Sequence, residues 1–424
     1  VSFFADREML IGRYKHAAYK PCYWFEQSLR TGGRRMCYKS PFGIKSHLCI
    51  QSTTYKGCNL QCVFCWRNIE GRQRVYKFFD DPIEIVDNLI KNQVLIVSES
   101  LKKSLDNYEN MISIVRALSN HNEPMSVIEI SNITGISRTK VRSALVDLVN
   151  AGVVKHVSKK YVLEKPILQH LSYEDARMLV EKYVASKDDI IRVHKEAMKP
   201  KHVAISYDGE PIMYPRIGEV IAEFRKRGIS TFLVTNGTFP ERIEELWKTG
   251  NLPTQLYVTL AAPDLETYIK VTSTVYPLMR SSYAHWERLN KTLDMLGKLP
   301  CRTVIRITAV KGINMINPEG YRKIVLRSNP NFLEVKGFAI SGYASRISIR
   351  LGNREPNYND PLLMKEALKY SPKHEEIFEF AREISDNWKV FPLLYQQPES
   401  SEVLMAVNWK DFDKLEISET VIAS

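Results

Sequence analysis

The 424-residue chain predicts an α/β fold, with a parallel sheet flanked by outer helices and interrupted once by a small helical module. Three observations carry this expectation. From His202 onward, short apolar runs alternate with amphipathic stretches. Between Leu105 and Leu163 that order gives way to three helix-like stretches and a basic hairpin. Six of the seven cysteines crowd between Cys22 and Cys65, ahead of the alternating region.

In the alternating region, strands are expected from His202 to Tyr207, Ser230 to Thr235, Gln255 to Leu260, Thr303 to Val310 and Phe332 to Phe338. Helices are expected from Arg216 to Arg227, Glu241 to Lys248 and Ala284 to Leu296. Repeated strand–helix units place the strands side by side in parallel with helices outside. Two more helices, near Asp360 to Lys369 and His374 to Asp386, lead to a strand-like tail. Upstream, Ile83, Val86, Leu89, Ile90 and Val94 follow a 3.6-residue period, predicting a helix from Pro82 to Val97.

The interruption has its own pattern. Tyr108 to Ser119 and Met125 to Thr134 read as helices, the second closed by Gly135. Ser137 is placed to cap a third helix, Arg138 to Asn150, which stops at Gly152. Two β-like runs, Val153 to Val157 and Tyr161 to Leu163, flank Ser158-Lys159-Lys160. Three helices and a basic hairpin are the outline of a winged helix. Its third helix carries Arg138, Lys140 and Arg142, and its hairpin Lys155, His156, Lys159 and Lys160, a pattern suited to nucleic acid or to a protein partner.

Composition narrows the class. No stretch reaches the roughly 18 uncharged apolar residues of a membrane span. The start, Val1-Ser2-Phe3-Phe4-Ala5-Asp6-Arg7-Glu8, is too charged for a secretory signal. A cytoplasmic protein is expected. The net charge of +12 and pI of about 9.2 suit a polyanionic partner. Cysteines crowded at one end of a large chain point to metal rather than to disulfides, with Cys301 left as a structural residue.

The central motif is Cys58-Asn59-Leu60-Gln61-Cys62-Val63-Phe64-Cys65. Three thiolates at this spacing can hold three irons of a [4Fe–4S] cube and leave the fourth open. An open iron can chelate the amino and carboxylate groups of S-adenosylmethionine, whose reductive cleavage yields a 5′-deoxyadenosyl radical. A zinc site would use paired two-residue gaps and a fourth ligand. Cys22, Cys37 and Cys49 form a second trio, suited to a second [4Fe–4S] cluster.

These pieces, with Cys65-Trp66-Arg67, Gly209-Glu210-Pro211, Thr235-Asn236, Val310-Lys311-Gly312 and Glu334-Val335-Lys336-Gly337, resemble the archaeal tRNA 4-demethylwyosine synthases of wyosine biosynthesis. The resemblance runs from about Cys22 to His374, outside the insertion. It implies a partial (β/α)6 TIM-like radical-SAM barrel with an inserted winged-helix domain. The expected boundaries are 1–57 for the second-cluster segment and 58–104 for the start of the barrel. Residues 105–165 form the insertion, 166–345 the rest of the barrel and 346–424 an extension packing on it. By resemblance, Cys58, Cys62 and Cys65 hold the S-adenosylmethionine cluster and Cys22, Cys37 and Cys49 the other. Gly209, Glu210 and Pro211 would bind the methionine amino group, with Asn236 close by.

The implied reaction is that of a lyase. It converts N1-methylguanosine at position 37 of tRNA(Phe), in the anticodon loop, with pyruvate as carbon donor, to 4-demethylwyosine. Two pyruvate carbons are kept and the carboxylate carbon is lost. Pyruvate has two candidate sites, the open iron of the second cluster, which is favoured, or a Schiff base on Lys39. Arg30, Arg34, Arg35, Lys39, Lys45 and Arg67 are candidate phosphate contacts. The enzyme would act as a monomer with an external electron donor, since the flavodoxin-like domain of the eukaryotic members is missing. Ala261-Ala262 stands where the family tends to place an acidic residue near the ribose. Two alternatives compete: another radical-SAM enzyme acting on RNA or a small molecule, and an iron–sulfur winged-helix regulator.

Overall fold

The computed structural model describes residues 7–69, 74–121, 123–165, 170–272, 282–353, 355 and 357–408. The last part of the C-terminal extension, 409–424, lies outside them. The chain opens with a hairpin of β1 (Met9–Ile11) and β2 (Ala17–Tyr19), then helix α1 (Tyr23–Arg30) and strand β3 (Cys49–Thr53). Helix α2 (Pro82–Ser119) leads to α3 (Val127–Thr134), α4 (Arg138–Asn150) and a hairpin of β4 (Val154–Val157) and β5 (Lys160–Leu163). Helices α5 (Tyr173–Tyr183) and α6 (Lys187–Ala197) return the chain to the sheet.

There β6 (His202–Ile205), α7 (Ile217–Lys226), β7 (Ser230–Thr235), α8 (Pro240–Lys248) and β8 (Gln255–Thr259) alternate as expected. They are followed by α9 (Leu265–Val271), α10 (Ser282–Leu293), β9 (Arg302–Ala309), α11 (Pro318–Ser328) and β10 (Phe332–Gly337). Helices α12 (Ile347–Arg350), α13 (Leu363–Ala367) and α14 (His374–Ile384) precede β11 (Leu393–Gln397) and β12 (Glu402–Ala406).

Among the described residues, β3, β6, β7, β8, β9 and β10 pair in parallel in chain order, the six strands of a partial (β/α)6 barrel. Antiparallel strands extend both edges, β2 and β1 beyond β3, β12 and β11 beyond β10. The C-terminal extension thus enters the sheet itself. Successive side chains of a strand point to opposite faces. Ile305, Ile307, Leu333, Val335, Val403 and Met405 join the core under the outer helices. Val304, Phe332, Leu404, Ala204, Phe232 and Tyr257 form a separate inner cluster, which Phe42 and Ile44 complete. The segment between Cys37 and Cys49 therefore plugs one end of the barrel lumen.

The structure departs from expectation in α2. The stretch read as two helices, ending at Val97 and restarting at Tyr108, is one helix of 38 residues. Its buried stripe continues through Ser100, Ser104 and Asn107, which are polar, so apolar periodicity fades while burial persists. Partners across the interface satisfy these groups. His194 Nε2 lies 3.0 Å from Ser100 Oγ, and Asn107 donates to Asp147 at 2.8 Å.

The module has the expected order of three helices and a hairpin. Tyr108, Met111, Val115, Ile130, Val141, Leu145, Leu148 and Leu163 form its core, which Ala176, Val180 and Val184 extend. Helix α5 thus packs with the module past position 165. Ser137 occupies the N-cap of α4 without a side-chain cap bond, whereas Ser126 and Glu129 form a capping box on α3.

One buried ion pair joins the module to the N-terminal segment. Arg30 Nη2 lies 2.5 Å from Asp147 Oδ2, and both side chains are inaccessible to solvent. Arg30 also donates to the carbonyl and hydroxyl of Ser143, at 2.8 and 2.9 Å. Arg30 is therefore not available as an RNA contact. Removing one partner of such a pair strands a buried charge. Asp147→Ala should cost about 3–5 kcal/mol in denaturant unfolding, and the apolar double variant Arg30→Met/Asp147→Leu should lose far less. Equal losses in the two would mean that packing alone holds the joint.

Candidate active site

The Cys58–Cys65 loop begins five residues after β3 ends. Leu60 and Val63, between its cysteines, are buried, and Val63 joins the main core. The Val63 N–H donates to the Val271 carbonyl at 2.9 Å, and the Cys65 N–H to the Cys62 carbonyl at 2.9 Å. Arg350, at the end of α12, clamps the loop from the other side. It donates to the carbonyls of Val63 at 3.2 Å, Cys65 and Arg67 at 2.9 Å. Sequence reasoning missed this residue, since nothing in its local pattern sets it apart.

All three cysteines keep some exposure, yet the protein around Cys58 and Cys62 desolvates their sulfurs. Burial pushes the Cys58 thiol up to about 12, with Arg67 pulling against it. Cys62 is pushed well above its ordinary range by burial and by the neighbouring Cys58 and Cys65. Such thiols keep their protons unless a metal replaces them. Among the described residues, no three His, Cys, Asp or Glu side chains converge on a single-ion site. An iron–sulfur cube takes each thiolate on a different iron, so its ligands need not converge on one point.

Gly209, Glu210, Pro211 and Asn236 come together beside this loop. Gly209 has φ +71°, and a Cβ there would meet the Tyr55 carbonyl oxygen at 2.0 Å and that of Gly57 at 2.5 Å. Only glycine allows this approach. The Glu210 N–H donates to the Gly57 carbonyl at 2.7 Å. The Glu210 carboxylate is buried. Its Oε2 accepts the Asn236 N–H at 2.7 Å, while Oε1 has no partner among the described residues. Asn236 Nδ2 lies 2.8 Å from Asn59 Oδ1 and 3.8 Å from Cys58 Sγ. A buried carboxylate oxygen without a donor, tied through one residue to a cluster cysteine, fits an ammonium group. Pro211 opens a short 3₁₀ turn, and the Thr54 hydroxyl donates to its carbonyl at 3.0 Å. Ala261 and Ala262 are buried; Asn314 donates to the Ala261 carbonyl at 2.8 Å.

Arg67, read from the sequence as a phosphate contact, is turned inward. Its Nε lies 3.2 Å from Asp208 Oδ1 with a side-chain exposure of 10%. Its charge faces Cys65 and Cys58.

Of the second trio, Cys37 and Cys49 bound the plug and Cys22 precedes it. Cys22 is the N-cap of α1 and its sulfur accepts the Phe25 N–H at 3.2 Å. The Cys37 N–H donates to Ser46 Oγ at 2.8 Å, and Cys49 starts β3. Burial pushes Cys22 and Cys49 up to about 12; for both, Cys37 adds to the rise and Lys39 opposes it. Lys39 is buried. Its Nζ sits 5.5 Å from the Phe232 ring and 5.8 Å from the rings of Tyr257 and Tyr38, inside the lumen.

Beyond Lys39 lies a polar group whose role sequence reasoning missed. Arg306 pairs with Glu334, and Lys336 Nζ lies 3.2 Å from Glu402 Oε2. Arg306 stands 4.6 Å from the Tyr257 ring and 5.2 Å from Tyr38; Lys336 Nζ stands 3.6 Å from Tyr38. Charges at alternate strand positions, as in Glu334-Val335-Lys336, were the available signal.

Two family models match the chain: the radical SAM superfamily over residues 169–323 and the IclR helix-turn-helix domain over 109–158. The S-adenosyl-L-methionine-dependent tRNA 4-demethylwyosine synthase of Pyrococcus abyssi is 34% identical over 364 residues, 85% of this chain and 78% of that protein. The Homo sapiens enzyme of the same description is 27% identical over 401 residues, 94% of this chain and 39% of that protein. A TYW1 structure with a lysine–pyruvate adduct bound superposes with a TM-score of 0.57 at 23% identity, covering 94% of this chain and 92% of that one. An archaeal TYW1 crystal structure gives 0.55 at 22% identity, covering 95% and 92%.

Burial raises the Glu210 carboxyl from its ordinary 4.5 to about 7, against the pull first of the Thr235 side chain and then of the Asn236 and Ile212 N–H groups. The folded state then holds a proton that the unfolded chain releases. This group's contribution to stability is fullest below about pH 4.5 and falls as pH rises to about 7, with a limiting slope of about 1.4 kcal/mol per pH unit. In urea unfolding at about pH 5 and about pH 7, Glu210→Gln should lose less stability with rising pH than the parent. Parallel losses would discard the raised carboxyl.

Proposed function

The chain belongs to the S-adenosyl-L-methionine-dependent tRNA 4-demethylwyosine synthase family, and from that premise we propose that it converts N1-methylguanosine at position 37 of tRNA(Phe) to 4-demethylwyosine, with pyruvate as carbon donor. The observation that carries this reading is the pairing of two sites on one barrel. Asn236 and Glu210 are bonded around Cys58, and Lys39 is buried in the lumen beside Cys22 and Cys49.

Cys58, Cys62 and Cys65 would hold a [4Fe–4S] cluster, and Glu210 the methionine ammonium group, with Asn236 fixing the carboxylate. Bound there, the cluster and S-adenosylmethionine would supply a 5′-deoxyadenosyl radical able to take hydrogen from the N1-methyl group. Arg67, held by Asp208, balances the charge of the thiolates. Cys22, Cys37 and Cys49 would hold a second cluster, for which their shared burial and mutual proximity speak.

We place pyruvate on Lys39 in preference to the open iron of that second cluster. A lysine–pyruvate adduct occurs in a solved TYW1 structure of the same fold, and Lys39 is a lysine enclosed in this lumen. The amine adds to C2 and the keto oxygen leaves as water, so that C2 is held for attack by the methylene radical. C2 and C3 stay with the base, the C1–C2 bond breaks with the carboxylate leaving as the carbon dioxide radical anion and carrying off the unpaired electron, and the exocyclic amine replaces the Lys39 nitrogen on C2 to close the ring and free the lysine. An anticodon-loop base is already unpaired, so drawing it into a pocket costs less than flipping one from a duplex. Exposed Lys45 remains suited to loop phosphates. The electron comes from an external donor.

The test is mass spectrometry of tRNA(Phe) bearing N1-methylguanosine after anaerobic incubation with reconstituted protein, S-adenosylmethionine, pyruvate and dithionite. Formation of the tricyclic base is expected. Methionine and 5′-deoxyadenosine without the third ring would reject this substrate and leave the radical chemistry; a pure iron–sulfur regulator would form neither. Cys37→Ala should lose one cluster's iron and keep the other's, and unchanged iron content would refute the second cluster.

A further inference from the structure

Arg306 is buried in the lumen by β9, and its Nη2 has no hydrogen-bond partner among the described residues. Its Nε donates to Glu334 Oε1, which fixes the guanidinium plane, while Nη2 and Glu334 Oε2 have no hydrogen-bond partner among the described residues. A buried guanidinium nitrogen without an acceptor is costly, so an unused donor on a fixed guanidinium is a place for an anion. Lys39 and Arg306 flank the same two rings, Tyr257 and Tyr38. The two cations thus share one compartment, with Lys336 as a third.

Glu334 pairs with Arg306 and Glu402 with Lys336, while Lys39 faces the second cysteine trio. An α-keto acid joined to Lys39 at C2 carries its carboxylate on the next carbon, one bond from the point of attachment.

We infer that Arg306, positioned by Glu334, is the carboxylate-binding residue for the keto acid held on Lys39, and so selects an α-keto acid over an uncharged carbonyl compound. This inference rests on the assignment of Lys39 above and goes beyond it by naming the specificity determinant. Arg306 is a binding residue; Glu334 acts through it. In the covalent step the Lys39 nitrogen forms a bond to C2, and the keto oxygen leaves as water with two protons drawn from the amine. Cyanoborohydride then delivers hydride to C2, a proton goes to nitrogen, and a stable secondary amine remains.

The experiment is reductive trapping on the reconstituted protein. The mass of the Lys39-containing peptide is read after titration with pyruvate and, separately, with acetaldehyde, which offers a carbonyl without a carboxylate. In Arg306→Gln the pyruvate concentration for half-maximal trapping should rise about tenfold or more, as for loss of a charge-assisted hydrogen bond, while acetaldehyde trapping stays as in the parent. Arg306→Lys, which keeps the charge and loses the fork, should fall between, and it stands in if the glutamine variant fails to retain iron. Equal weakening toward both carbonyls would make Arg306 a structural residue and overturn the inference. Unchanged trapping of both would overturn it as well. If the parent protein traps no pyruvate at all, the Lys39 assignment falls and takes this inference with it.

Discussion

The site depends on one close approach. Gly209 can lie against the carbonyls of Tyr55 and Gly57 only because it has no Cβ and adopts a left-handed backbone. That contact sets where the cysteine loop leaves β3 relative to the end of β6. From it runs a chain of directional bonds: Glu210 to Gly57, Asn236 to Glu210, and Asn236 to Cys58. Buried Leu60 and Val63, with Arg350 across the loop, hold the remaining side. A loop site is only as well placed as such supports allow.

Strand β3 links the two cysteine groups. Cys49 is its first residue, and Cys58 follows its last, Thr53, by five positions. At about 3.3 Å per residue, its five residues separate its ends by on the order of 15 Å. The lumen between is closed at the Cys49 end by Phe42 and Ile44 and becomes charged beyond them. Lys39 enters from the plug, so an amine carried by the second cysteine segment lies in the space the barrel encloses. The charged groups there sit at alternate positions of strands whose other faces are apolar, a division the pleat provides without special geometry.

Much of this was legible in the sequence. The strands after His202 fell within a residue or two of expectation, because a parallel sheet covered on both faces leaves short apolar runs bounded by turns. Gly209-Glu210-Pro211 and Asn236 do meet beside the Cys58–Cys65 loop. Arg30 and Arg67 were misjudged for a common reason. A charged residue is solvated by default, and the partner that buries Arg30 lies 117 positions away on Asp147. The unity of α2 was hidden because its middle turns are buried through serine and asparagine. Arg350 and Arg306 act through geometry that exists only after folding.

The continuous α2 has a mechanical consequence. At 1.5 Å per residue, its 38 residues form a rod about 57 Å long that begins against the barrel and ends inside the module. The module is therefore not tethered by a flexible strap; its distance and heading are written into the helix. One residue inserted in the middle turns would advance the module by about 1.5 Å and rotate it by about 100°. The helix acts as a ruler and a compass together. Its length is constrained as tightly as any sequence on the module's surface, because a change in reach cannot be separated from a change in direction.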